Sequence, residues 1–338
     1  MRDFEREVIN AAGPLPPVQT EEFSWSLARH YLFRFCRRAY FIRYYLAQGG
    51  WDAYSHTLAR EAYFSKYLMP FDTWLSRTLR DSIREAFAKM SAGAPGHKRR
   101  GFGFYLLRQI GRATADLQMS LKNREYLYDA KRPAILEHHL GIGDFADVDK
   151  LTAMAVATLG DAYATLSRSD IIADVSNLSF VDLRTDDVFI SIDWKGFPVW
   201  LVPGLIYFRD GVASAINAEV RLTGGENSSD FFDRIGRQNA LFALYCRERY
   251  PEFPVNITTF TFSQGLSGVV YNLFEPDIEP MIDRSSAEML ALIDKDGFAH
   301  PEDFPPCENR DGCRMCRYQS ACRLLESAMR EKTDGNAP

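Results

Sequence analysis

The stretch CRMCRYQSAC, residues 313–322, is the most informative part of this chain, because it spaces three cysteines as C-x2-C-x5-C. A further cysteine, Cys36, lies near the opposite end of the 338 residues. Thiolates bind soft metals, and four of them suit either an iron–sulfur cluster or a structural zinc ion. A ligand set divided between the two ends of the chain would hold the fold closed.

The same segment also permits a purely local zinc site. Cys307, Cys313, Cys316 and Cys322 form the pattern C-x5-C-x2-C-x5-C, which suits a four-cysteine zinc ion. Disulfides are less expected, because the N-terminus has no secretory signal and the cysteines are not spread as a framework. Reducing conditions would leave the thiols free to bind metal.

Composition indicates a packed globular protein, with 46% hydrophobic and 25% charged residues. No apolar run is long enough to span a membrane, so we expect a cytoplasmic protein. The net charge of −5 hides an asymmetry. Residues 1–140 contain 22 of the 40 Lys and Arg but only 14 of the 45 Asp and Glu. This basic half indicates either a face for an anionic partner or simply solvated helices.

Periodicity and turn signals predict a mixed α/β (α+β) protein. The first half is nearly all helix, and its first helix, Leu27 to about Ala47, interleaves aromatics with arginines before Gly49-Gly50 ends it. Residues 178–223 are predicted to form a β-meander, with a helix and two strands after it. The expected divisions are an extended arm at 1–22, a helical region at 23–175, a β-meander and helix core at 176–300, a cysteine-rich clasp at 301–328, and a disordered tail at 329–338.

This order resembles the PD-(D/E)XK nuclease superfamily, in the RecB- and AddB-like branch that carries a [4Fe–4S] cluster and includes the CRISPR-adaptation exonucleases. Further matches are Ser24-Trp25-Ser26, Tyr44-Tyr45 and Gly49-Gly50-Trp51, although Arg37 stands where the family often has proline. The resemblance covers about residues 23–325. It implies a restriction-endonuclease-like mixed sheet flanked by helices. It also implies that Cys36, Cys313, Cys316 and Cys322 bind the cluster.

The catalytic positions depart from that resemblance. Family members hold Mg2+ with an Asp on one strand and a Glu-x-Lys or Asp-x-Lys on the next, with a His on an upstream helix and a Gln-x3-Tyr on the following one. Aligned by the meander, these positions carry Gly204, Glu219 with Arg221, Arg80, and Gln238 with Phe242. An arginine is a poor proton shuttle, and Mg2+ needs several oxygen ligands. We therefore expect a degenerate catalytic site. Mg2+ or Mn2+ would be a cofactor only if an active site has been rebuilt around Glu219.

One literal Asp-x-Lys does occur, at Asp193-Trp194-Lys195. Lys195-Gly196 reads as a hairpin turn, so the motif would lie one strand too early. We interpret it as a chance match.

A degenerate nuclease can still bind DNA. Candidate phosphate contacts are Arg37, Arg38 and Arg43 on the first helix and Lys98, Arg99 and Arg100 in a glycine-rich loop. Candidate stacking residues are Tyr40, Tyr44, Phe102 and Phe104, which could equally be core. The sequence thus favours a DNA-holding subunit of a repair, recombination or defence complex, with a helicase or nuclease as partner. The alternatives are an active Mg2+- or Mn2+-dependent nuclease and a purely structural scaffold.

Overall fold

The computed structural model describes residues 18–20, 22–52, 54–91, 101–176, 181–182, 190–202, 205–222, 228–263, 266–274, 278–308 and 310–334. The chain divides into two units. The first combines residues 1–69 with 281–338, and the second contains residues 70–280. This grouping differs from the linear divisions expected from the sequence, because segments from both ends of the chain share one unit.

The protein is of the α+β class. Its helices are α1 Leu27–Phe35, α2 Arg37–Phe41, α3 Thr57–Ser65, α4 Phe71–Ser91, α5 Phe102–Lys122, α6 Leu136–His139, α7 Val148–Ser167, α8 Asp170–Ser176, α9 Ser228–Arg249, α10 Ile278–Leu290 and α11 Gln319–Asp334. Its strands are β1 Val18–Gln19, β2 Val181–Asp182, β3 Ile190–Trp194, β4 Phe197–Leu201, β5 Leu205–Arg209, β6 Val212–Arg221, β7 Val255–Ser263, β8 Leu266–Tyr271 and β9 Phe298–Ala299. None of the helices in these described ranges combines the length and the apolar character that a membrane crossing requires.

An aromatic core joins the two ends of the chain in the first unit. Phe304 is fully buried, and its ring lies 5.1 Å from that of Phe41 and 5.7 Å from that of Tyr45, measured between centroids. Arg38 adds a hydrogen bond between the same two segments, since its Nε donates to the carbonyl oxygen of Phe304 over 2.6 Å. Strands β1 and β9 pair antiparallel nearby in the same unit, with Val18 opposite Ala299.

The first helix is interrupted, which the sequence did not predict. Cys36 adopts an extended conformation, with φ −163° and ψ 114°, between α1 and α2. A single turn of π-helix, Ile42–Leu46, then follows α2. The uninterrupted helix from Leu27 to Ala47 was therefore a wrong expectation, because helical hydrophobic periodicity continues across the break and conceals it.

The second unit is built around a five-stranded sheet with the order β2-β5-β6-β7-β8. Neighbouring strands are antiparallel except β6 and β7, which are parallel and are connected through α9. Strand β6 is almost continuously buried, as expected for the centre of a sheet covered on both faces. Helix α4 packs on β6, and α9 packs on β7.

The expected meander is only partly present. Strands β3 and β4 form a separate two-stranded sheet, while β2 pairs with β5. Alternation of apolar residues predicts each strand but not which strands pair, because that depends on contacts distant in sequence.

Phe304 gives the first prediction. We expect Phe304→Ala to reduce the free energy of unfolding by about 3–5 kcal/mol, because the truncated side chain leaves a cavity among packed aromatic rings. Urea-induced unfolding followed by circular dichroism measures this loss. Phe232→Ala is the matched control, since 43% of the Phe232 surface is exposed. Equal losses in the two variants would contradict the role given to Phe304.

Candidate functional site

Five of the six cysteines line one cavity of about 220 Å3 in the first unit. Apolar atoms from Phe35, Ala39 and Ile42 complete part of its wall. All the cysteines are free thiols. The cysteines lining the cavity are Cys36, Cys307, Cys313, Cys316 and Cys322.

Local backbone structure fixes where these thiols lie. The break at Cys36 allows its Sγ to accept a hydrogen bond from the backbone N–H of Ala39 over 3.4 Å. Cys313 lies in a 3-10 helix, Arg310–Met315, and its carbonyl oxygen accepts from the N–H of Cys316. Cys322 follows on the first turn of α11. The C-x2-C-x5-C spacing therefore places thiols from a turn and a helix start on the same cavity.

Cys307 belongs to the same group. Its Sγ lies 3.5 Å from the Sγ of Cys313. The sequence left two ligand sets open, one with Cys36 and one with Cys307. Both cysteines line the cavity, so the cavity contains one more thiol than either set requires.

Three of the cavity thiols have raised pKa values. The pKa of Cys307 is raised to about 12, mainly by burial and also by the adjacent sulfurs of Cys313 and Cys36. Burial likewise raises the pKa of Cys322 to about 11. Crowded thiols of this kind ionise readily only when a cation compensates the charge, which is the chemistry of metal ligation.

Single-ion coordination is not already formed at the cavity. Within the described ranges, no three His, Cys, Asp or Glu side chains are grouped as ligands of one metal ion. A tetrahedral zinc site holds all four sulfurs about 2.3 Å from one point. A cavity of about 220 Å3 has room for a larger group than one ion.

The predicted nuclease position in the second unit contains an ion pair. Arg80 Nη1 on α4 lies 2.6 Å from Oε1 of Glu219 on β6, and it also donates to the carbonyl oxygen of Ala218 over 3.3 Å. The pair is largely buried, with side-chain exposures of 15% and 11%. One turn earlier on α4, the Ser76 hydroxyl accepts from the N–H of Val220. Helix α4 therefore brings a fixed cation to the carboxylate that would hold Mg2+ only if the site were active.

The remaining catalytic positions of the resemblance have other surroundings where the structure describes them. Arg221 extends over the ring of Phe231, with its Cζ 5.6 Å from the centroid. Gln238 is half-buried on α9, and Phe242 belongs to the core. Gly204 lies outside the described residues.

The Asp193-Trp194-Lys195 motif lies on the β3-β4 hairpin, with its turn at the expected Lys195-Gly196. Trp194 pairs with Phe197, so Lys195 and Gly196 form the turn, and Asp193 accepts a hydrogen bond from the Gly196 N–H. The motif is therefore not on the five-stranded sheet.

The predicted phosphate-binding arginines have different environments. Arg37 is exposed, with its guanidinium over Phe33. Arg38 is only 5% exposed and donates to the Phe304 carbonyl, which leaves little of its guanidinium accessible for the predicted phosphate contact. Arg43 is half-buried and donates to the Tyr318 hydroxyl. The loop residues Lys98, Arg99 and Arg100 lie outside the described residues.

The aromatic candidates are mostly core. Tyr40 and Phe102 are buried, and Tyr44 is half-buried beneath Arg29, whereas 42% of Phe104 is exposed. Sequence reasoning missed a more accessible aromatic, Trp51, whose exposure is 66%. Its position directly after the glycine pair that ends the helical segment was the signal that could have identified it.

Neither any protein-family model nor any curated protein matches this chain.

The ion pair generates a prediction about stability. Arg80→Met should lower the free energy of unfolding by about 1.5–3 kcal/mol, because it leaves the buried Glu219 carboxylate without its charged donor. The double variant Arg80→Met/Glu219→Gln should lose less than the sum of its single variants, as for any directly coupled pair. Denaturant unfolding of all four proteins measures this coupling. Arg77→Met, on the exposed side of α4, is the control, and strict additivity would contradict the coupling.

Proposed function

We propose that this protein is an iron–sulfur-containing, catalytically degenerate member of the PD-(D/E)XK nuclease fold. In this proposal it binds nucleic acid as a subunit of a DNA repair, recombination or defence complex. The observation that carries the proposal is the buried pair between Arg80 and Glu219. A protein cation is bonded to the carboxylate at which a nuclease of this kind would hold its metal.

The strand order supports the nuclease-like core. Two antiparallel strands, β5 and β6, are followed by helix α9, which leads to β7 parallel to β6. This is the order that the resemblance implies, with α4 packed on β6 from upstream in the chain. The degenerate motif residues Glu219 and Arg221 both lie on β6, the central strand of this arrangement.

The chemistry around Glu219 argues against Mg2+ or Mn2+ binding. Both ions prefer oxygen ligands, and Mg2+ requires nearly octahedral geometry. Arg80 provides donors instead, and its buried Nε has no hydrogen-bond partner within the described part of the chain. A metal ion would have to displace this guanidinium and would meet its positive charge.

The cysteine cavity fits the proposed cluster. Four thiolates are the ligands of a [4Fe–4S] cluster, and the cavity supplies them from both ends of the chain. We assign ligation to Cys36, Cys313, Cys316 and Cys322, since the N–H bond to the Cys36 sulfur would stabilise a thiolate. The cluster would supply a covalent cross-link between distant segments. A cytoplasmic location, which keeps thiols reduced, accords with this use.

A nuclease assay combined with a binding assay tests the proposal. Anaerobically purified protein should leave labelled single- and double-stranded DNA uncut with Mg2+ or Mn2+, and it should retard the same DNA in a gel. Binding should weaken steeply as salt rises, because phosphate contacts release counterions. Cleavage that disappears in Glu219→Ala would instead indicate an active enzyme. Absence of any DNA binding at low salt would favour a purely structural scaffold.

The cluster assignment generates a separate prediction. Anaerobic protein should contain about four iron atoms per chain with matching acid-labile sulfide. Cys36→Ser should lose this iron, whereas Cys307→Ser should retain it. Cys246→Ser is the matched control, because Cys246 is buried on α9 in the other unit.

Other outcomes of the iron measurement would change the ligand assignment. Iron retained in Cys36→Ser and lost in Cys307→Ser would transfer the fourth ligand to Cys307. Stoichiometric zinc that survives Cys36→Ser would indicate the local four-cysteine site.

A further inference from the structure

Three aromatic side chains of the first unit form a continuous surface, here called the aromatic ladder: Trp51, Tyr63 and Tyr67. The Trp51 ring meets the Tyr63 ring edge-on at 6.0 Å, and the Tyr63 ring meets the Tyr67 ring at 5.1 Å. Trp51 is 66% exposed, and both tyrosines are half-buried. Most of the Trp51 surface is therefore accessible to a ligand.

The ladder is held in a fixed arrangement. The Tyr67 hydroxyl donates to the Tyr63 hydroxyl over 2.9 Å. Gly50 packs so closely on α3 that a Cβ there would overlap the carbonyl oxygen of Ala59. Only glycine therefore fits at this contact, and it places Trp51 beside the helix that carries Tyr63.

Cations border these rings. Lys66 Nζ lies 4.5 Å from the Tyr63 centroid and 5.4 Å from the Tyr67 centroid. Arg60 is exposed one helical turn before Tyr63 and so lies on the same side of α3. The acidic residue on that helix, Glu61, is two positions from Tyr63 and therefore faces away from it. Asp52 is the acidic neighbour of Trp51, and it accepts a hydrogen bond from the Tyr54 N–H.

We propose that the aromatic ladder binds single-stranded nucleic acid by stacking on unpaired bases, with Lys66 and Arg60 contacting the adjacent phosphates. This inference rests on the proposed nucleic-acid-binding function and identifies a site for it. An exposed ring beside partly accessible rings, with a cationic border, is a combination that single-strand-binding proteins use. A duplex keeps its base faces covered, so the ladder distinguishes single strands from double strands.

Binding measurements on variants of Trp51 test this inference. The probes are a labelled oligothymidine, an abasic oligonucleotide of the same length, and a duplex. Trp51→Ala should weaken oligothymidine binding by roughly 5- to 150-fold, the range expected for loss of one stacked base. Trp51→Phe should lose less, because a ring remains. Neither variant should alter binding of the abasic strand or the duplex.

Trp200→Ala is the matched control, since Trp200 is 39% exposed on β4 in the other unit. Unchanged oligothymidine binding by Trp51→Ala would overturn the inference while leaving the proposed function intact. An equal loss on the abasic strand would also overturn it, because stacking would not be the cause. Wild-type protein that binds none of the three probes would overturn the proposed function and this site with it.

Discussion

The first unit depends on contact between two segments that are separated in sequence by the whole of residues 70–280. Closing so long a chain carries an entropic cost, although that cost grows only slowly with length, by about 0.6 kcal/mol per doubling. Burial of Phe304 among rings of the first segment opposes it. Arg38 contributes through the Phe304 carbonyl and through its own N–H, which donates to Pro305. A metal centre with ligands on both segments would act on the same closure.

The second unit presents a different constraint, which concerns charge. A buried carboxylate requires a partner, and either an exchangeable metal ion or a fixed side chain can supply it. Here the partner of Glu219 is Arg80. A guanidinium neutralises the carboxylate permanently, so it stabilises the packing of α4 on β6. It offers no open coordination position for water or phosphate, which is what metal-assisted hydrolysis requires.

Much of this arrangement follows from the sequence, and the failures have physical causes. The mostly helical first half was predicted, because apolar residues in segments such as α4 and α7 recur at helical spacing over many turns. The break at Cys36 was missed, since one extended residue does not disturb that spacing. Pairing of β2 with β5 was also missed, because strand partners depend on contacts that no local pattern records.

The candidate sites also include features that the sequence predicted and features that only the tertiary structure reveals. The cysteine spacing predicted that Cys313, Cys316 and Cys322 lie together, since a short turn followed by a helix start constrains their thiols. The spacing could not choose between Cys36 and Cys307, and both line the cavity. Charge alone predicted Arg38 as a phosphate contact, but burial decides whether an arginine is accessible, and burial is a tertiary property.

The proposed function combines a metal-binding cysteine group with a degenerate catalytic centre, and the two satisfy different requirements. Binding a polyanion needs accessible cations and ring faces on a rigid support, and none of these depends on a catalytic metal. The thiol cavity lies in the first unit. Its walls include Phe35 and Ile42 from the first segment together with the C-terminal cysteines, so a bound metal centre would hold these segments together. Trp51 lies a few residues after Ile42 in this first segment. The close contact of Gly50 with α3 positions it. In the proposed function, loss of metal-dependent cleavage at Glu219 would therefore leave the requirements for holding nucleic acid in place.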